Sequence, residues 1–169
     1  MKEHVALVGF MGAGKSTVGR RLAKELGMQF VDTDETIVAR YGPIPEIFAR
    51  DGEPAFRARE LEAVRDALDG PPCVLALGGG AVTHPPTRSL LAERALRVYL
   101  DVPFSVLLGR LRRSKTKRPL LGDAIDPAHV RALHAARRPL YAESEMSVSG
   151  SRRSLGAIAR EIADLVRAR

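Results

Sequence analysis

One cysteine and no tryptophan occur in the 169 residues of this chain. A lone Cys73 has no partner for an internal disulfide and cannot build a Cys-based zinc site, which favours an intracellular, reducing setting. The eight aromatic residues, five Phe and three Tyr, fall mostly inside apolar runs. They do not form the interleaved stacking platform that single-stranded nucleic acid needs, so no nucleic-acid partner is expected. The four histidines, His4, His84, His129 and His134, show no HExxH spacing, although His129 and His134 lie near one another on an expected helix. A metal site made by protein groups alone is not expected. No apolar run approaches the roughly 18 residues of a membrane span. Lys2 ahead of the run from Val5 could open a signal peptide, but Glu3, the interrupting glycines and Lys15 argue for mature structure, and hence for a cytoplasmic protein without a membrane partner. Lysine is scarce as well: five of the 27 basic residues, against 22 arginines.

What is present is ordinary globular composition, 45% hydrophobic and 28% charged, over a length that suits one domain spanning residues 1–169. The net charge of +7 would fit nucleic acid, an anionic membrane surface or small phosphorylated ligands. Arginine's planar fork grips carboxylate and phosphate bidentately, although genomic base composition explains the bias equally well.

Apolar runs at Val5–Val8, Gln29–Val31, Cys73–Leu77, Arg97–Leu100 and, more weakly, Met146–Val148 read as strands. Helical patterns separate them, from Ser16 to Leu26 and at about 53–68, 86–94, 103–112 and 127–138. A last helix follows a cap at Ser154, with Leu155, Ile158, Ala159, Ile162, Leu165 and Val166 on one stripe. Strands alternating with helices give an α/β fold with a mostly parallel sheet and ligands beyond the strands' carboxyl ends. Residues 33–61 and 111–126 break the alternation and are expected as excursions over that edge.

Gly9 to Ser16, GFMGAGKS, matches GxxxxGK[ST] between a strand and a helix. In such a loop backbone N–H groups cradle phosphate, Lys15 reaches the β and γ phosphates, and Ser16 offers a hydroxyl to Mg²⁺. Gly12, Ala13, Gly14 and Thr17 complete the expected ATP contacts. Asp32 and Asp34 share one face of an extended segment. They can serve the metal and an acceptor hydroxyl, or Asp32 can cap the next helix in a box with Glu35. Arg57 and Glu60 lie three apart on a helix and can pair and orient one another, although a surface ion pair is the default reading of that spacing. Phe48 and Phe56 read locally as core. Gly78-Gly79-Gly80 puts bare backbone at a strand's carboxyl end, for close ligand approach or for a flexible turn. From Arg110 to Arg118 six positive charges occupy nine residues, the composition of a cover closing on phosphate or of a solvated basic loop.

Taken together, GFMGAGKSTVGRRLA, DTD, GPIPEIFARDGEPAFRARE, LGGGAV, KRPLL and RRPLY resemble the shikimate kinase family in order and spacing along nearly the whole chain. The resemblance implies a P-loop NTPase fold of the nucleoside-monophosphate-kinase type, with a five-stranded parallel core sheet flanked by helices. It implies transfer of the ATP γ-phosphoryl group to the 3-hydroxyl of shikimate in aromatic amino-acid biosynthesis, with residues 33–61 binding the acceptor and 111–126 forming a lid. By motif, Asp34 is similar to the family's substrate-binding base and Asp32 to the aspartate beside Mg²⁺. Arg57, held by Glu60, and Arg137 resemble the carboxylate-binding arginines. Gly78, Gly79 and Gly80, with Phe48 and Phe56, would line the substrate site, and Arg118 is similar to the lid arginine. Arg110 and Arg153 resemble residues flanking adenine. The stretch from Arg110 to Arg118 is slightly longer than is usual, which leaves Arg112 as the alternative to Arg110. A monomer acting on ATP and shikimate is expected. Gluconate kinase, a nucleoside monophosphate kinase and a non-catalytic ATP-binding regulator are the rival readings.

Overall fold

Five short strands lie side by side in the computed structural model, which describes residues 2–151 and 153–169. They are β1 (His4–Val8), β2 (Gln29–Asp32), β3 (Cys73–Ala76), β4 (Ala95–Asp101) and β5 (Met146–Ser149), ordered β2-β3-β1-β4-β5 with every neighbouring pair parallel. Parallel strands need crossovers, and seven helices are described: α1 (Lys15–Leu26), α2 (Thr33–Tyr41), α3 (Ile44–Asp69), α4 (Pro85–Arg94), α5 (Phe104–Arg113), α6 (Pro127–Ala142) and α7 (Leu155–Arg167). All residues of β1 and β3 are buried, as strands covered on both faces must be. Val5 pairs with Val74 on one side and with Leu96 on the other, so β1 is central. The crevice beyond its carboxyl end is where such sheets take ligands.

The structure redraws several expected elements. β4 starts at Ala95 rather than Arg97, because Ala95 and Leu96 continue the ladder against His4 and Val5. α3 begins at Ile44, ahead of the expected start near 53: two helical stretches meet at Gly52, whose φ of 81° breaks the helical path. Its first turn carries Pro45, a residue tolerated there since the first N–H groups of a helix have no intrahelical acceptor. α6 runs through Pro139 to Ala142 and buries Arg137 and Tyr141 on its inner side. On α7, Leu165 is 42% exposed and leaves the expected stripe, while Ala163 is buried in its stead. The cap reads as expected, with Ser154 Oγ accepting from Ala157 N at 3.1 Å.

The main core joins both faces of the sheet, and α1 packs on α7. A second apolar cluster, Ile37, Ile47, Phe56 and Ala63, with Tyr41, Ile44 and Phe48 against it, lies between α2 and α3. The segment over the ligand edge therefore rests on packing of its own. No described helix is long and apolar enough to cross a membrane.

Candidate active site

The loop between β1 and α1 turns through Gly12 and Gly14, with φ of 83° and 94°, values that favour glycine. Lys15 at the start of α1 folds over it, Nζ donating to the carbonyls of Gly9 (2.7 Å) and Phe10 (2.9 Å). Burial lowers the Lys15 pKa to about 8, against the opposing charges of Asp34 and Asp32. Ser16 Oγ donates to Asp32 Oδ2 at 2.5 Å. The other Asp32 oxygen accepts from the backbone N–H groups of Asp34 (3.0 Å) and Glu35 (3.2 Å) and caps α2. Glu35 does not close the box; its carboxylate pairs with Arg20 across the surface.

Lys15, Ser16, Asp32 and Asp34 open onto one cavity of about 300 Å³ beyond the carboxyl ends of β1 and β3. Gly12, Gly14, Thr17, Phe48, Phe56, Arg57, Glu60, Gly78, Gly79, Gly80, Arg118 and Arg137 line it as well. Asp34 stands half-buried, and desolvation raises its pKa, reinforced by Asp32 and opposed by Lys15, Arg57 and Arg118.

Arg57 is 7% exposed and is not the surface ion pair that its spacing allows. Its Nη1 donates to both oxygens of the wholly buried Glu60, at 2.9 and 3.2 Å, and Nη2 to Glu53 Oε1 at 3.1 Å. Burial pushes the Glu60 carboxyl up to about 7, with Arg57 opposing. Arg137 reaches the same place from α6. A Cβ built on Gly80 would stand 2.2 Å from Arg57 Nη2 and 2.9 Å from Arg137 Nη2, so both guanidinium groups converge on that bare backbone. Buried Nη1 of Arg137 and Nε of Arg57 have no hydrogen-bond partner among the described residues. Two desolvated cationic forks with unmet donors have the chemistry to grip a planar anion such as a carboxylate. Phe48 and Phe56, with ring centroids 4.8 Å apart, wall the same side.

Other expected site residues lie apart from the cavity lining. Ala13 is buried, and its N–H donates to Phe10 O at 3.1 Å. Arg110 grips the loop from behind, Nη1 donating to Gly12 O at 2.9 Å, whereas Arg112 is exposed. Arg153 pairs with Glu161 of α7. His129 and His134 diverge: His129 Nε2 meets Leu120 O at 2.7 Å, and His134 packs edge-on to Phe10. Ile44 and Leu120 also line the cavity. Each stands next to proline, in GPIPE and KRPLL, a position that points to a site only once those stretches fold over a pocket. Arg118 lines the cavity from 111–126, and Nη1 donates to Ser114 Oγ and Thr116 O, each at 3.2 Å.

Among the described residues no group of three or more His, Cys, Asp or Glu side chains is placed to hold a metal ion. The touching hydroxyl of Ser16 and carboxylate of Asp32 are hard oxygen donors on the cavity floor. Such a sparse set suits Mg²⁺, which keeps waters and takes its remaining ligands from phosphates.

Comparison with known proteins addresses the cavity's chemistry. The shikimate kinase family model matches residues 11–167. A shikimate kinase of Nitrobacter winogradskyi is 49% identical over 146 residues, 86% of this chain and 68% of that one. The solved shikimate kinase of Acinetobacter baumannii in complex with shikimate superposes with a TM-score of 0.92 at 39% identity, covering 98% of this chain and 93% of that one. A gluconokinase from Sinorhizobium meliloti, at TM-score 0.65 and 22% identity over 98% and 92% of the two chains, shares the fold alone. A match that runs from the phosphate loop to the end of α7, joined to this identity over most of the chain, shows that this chain belongs to the shikimate kinase family.

Proposed function

We propose that this chain transfers the γ-phosphoryl group of ATP to the 3-hydroxyl of shikimate, giving shikimate 3-phosphate and ADP on the route to aromatic amino acids. The observation that carries the reading is the convergence of Arg57 and Arg137 on Gly80, with buried donors unmet, in the cavity that also holds Asp34 and Lys15. A hydroxy acid needs both a carboxylate receptor and a carboxylate that takes a proton. Arg57 and Arg137 bind its planar carboxylate, and Glu60 fixes Arg57 in place. Asp34 accepts the hydroxyl proton as the oxygen attacks phosphorus; its raised pKa strengthens it as a base. Lys15 and Arg118 hold the charge gathering on the transferred group. Residues 33–61 serve as the acceptor segment and 111–126 as the lid. Ser16 and Asp32 would hold a divalent ion, which would supply further neutralisation of phosphate charge. Arg110, against the phosphate loop, is favoured over Arg112 for the adenine side.

The test is ADP release with shikimate, gluconate and nucleoside monophosphates offered in turn. Turnover with shikimate is expected. Turnover only with one of the others, or nucleotide binding without turnover of any acceptor, overturns the reading.

A further inference from the structure

Each carbonyl of Gly78-Gly79-Gly80 has a hydrogen-bond partner. Gly78 O accepts from Ala81 N at 3.1 Å, and Gly80 O accepts from Thr83 N at 3.0 Å and Thr83 Oγ1 at 2.6 Å. These partners are local. Gly79 O instead accepts from the hydroxyl of Tyr141, 62 residues away on α6, at 2.5 Å. None of the three N–H groups donates to a protein group among the described residues. The loop therefore has its acceptors occupied and its donors free beside the cavity.

In a planar trans peptide the C=O of one residue and the N–H of the next point in opposite directions, so fixing Gly79 O also fixes where Gly80 N–H is aimed. A peptide between two glycines has little steric resistance to flipping. A flip would turn an acceptor toward the cavity in place of a donor. We propose that Tyr141 is a positioning residue for the acceptor: its hydroxyl, on the Gly79 carbonyl, holds the peptide plane that presents Gly80 N–H to shikimate. The proposal rests on the shikimate reading above.

Its setting is rigid. Tyr141 is 1% exposed, and its ring stacks on Tyr99 with centroids 5.4 Å apart. It stands four residues after Arg137, on the same face of α6. One helix turn thus carries both an arginine for the carboxylate and the clamp on the loop.

The test compares Tyr141→Phe, which keeps the ring, with the wild-type enzyme and with Tyr99→Phe, which removes a hydroxyl that reaches Asp101 rather than the loop. Losing one such bond should raise the KM for shikimate roughly fivefold to tenfold, with the KM for ATP within about twofold of wild type. Tyr99→Phe should lower Tm without moving the KM for shikimate. An unmoved KM in Tyr141→Phe, whether or not Tm falls, overturns the proposal, as does an equal rise in Tyr99→Phe. Should Tyr141→Phe fail to fold, exchange of the Tyr141 hydroxyl proton is read by NMR in the wild-type protein. Shikimate should slow it, and unchanged exchange overturns the proposal. Wild-type protein that does not phosphorylate shikimate defeats the functional reading; an active wild type with an unmoved variant KM defeats only the role of Tyr141.

Discussion

Asp32 has two oxygens, and the fold uses them separately. Oδ1 caps α2 through two backbone N–H groups, and Oδ2 meets the Ser16 hydroxyl. The sequence offered the cap and the metal side as competing readings, although one carboxylate can satisfy both at once. Asp34, free of capping duty, faces the cavity with its pKa raised by burial. Replacing it with Asn keeps size and shape but removes the proposed proton acceptor. Asp34→Asn should lower kcat by about 10²- to 10⁴-fold in steady-state assays. A near-normal kcat would leave Asp34 with orientation alone. Arg57 and Glu60 were legible as a pair from their spacing. Their burial was not, since it arises where α3 meets the glycine loop, which is distant in sequence.

At the scale of elements, the triple-glycine loop was recognisable as a place of close approach, and the structure identifies what approaches. At Gly78 an added Cβ would meet Glu60 Oε2 at 2.9 Å and Asp34 Oδ1 at 3.0 Å; at Gly80 it would meet the two arginines. The obstructing atoms at Gly80 are the ends of long side chains, so Gly80→Ala should fold while driving the guanidinium groups apart. The expected result is a KM for shikimate raised by at least about tenfold, with the KM for ATP little changed, measured by varying each substrate in turn. Equal effects on both would contradict the carboxylate assignment. α3 and α6 were harder to delimit. Pro45 and Pro139 mimic loop signals, and the burial of Ile47 and of Tyr141, both tertiary, accompanies helix across those stretches.

For the whole molecule, the +7 charge is spread unevenly. The cavity gathers Lys15, Arg57, Lys117, Arg118 and Arg137 against Asp32, Asp34 and Glu60, a surplus suited to a triphosphate and a carboxylate. Many other arginines lie in exposed ion pairs, such as Arg40 with Asp66 and Arg94 with Asp69, which add little stability. Glu145 differs. It accepts from Lys2 Nζ at 2.7 Å, ahead of β1, and from Arg97 N at 2.9 Å on β4, tying three parts of the sheet's lower edge. Partial burial pushes its carboxyl up, but the hydrogen bonds from Lys2 and Arg97 outweigh this and bring the pKa down from 4.5 to about 2. A depressed carboxylate contributes stability that is present above the unfolded pKa and is lost as pH falls through the folded one. Glu145→Gln should therefore be less stable than wild type above pH 4.5, with the gap closing between 4.5 and about 2 in urea-unfolding midpoints. A gap that persists unchanged to pH 2 would contradict this ion cluster.

By itself the sequence determined the α/β class, the phosphate loop and the family resemblance, because each rests on local patterns: glycine spacing, apolar periodicity and the order of short motifs. Tertiary structure alone decided that Arg57 and Arg137, eighty residues apart in sequence, meet at Gly80, and that Tyr141 rather than a nearby group holds Gly79. It also separated Arg110, against the loop, from Arg153, paired with Glu161. Such outcomes depend on how helices dock on the sheet. Docking is set by the sum of many buried contacts, which no short stretch of sequence contains.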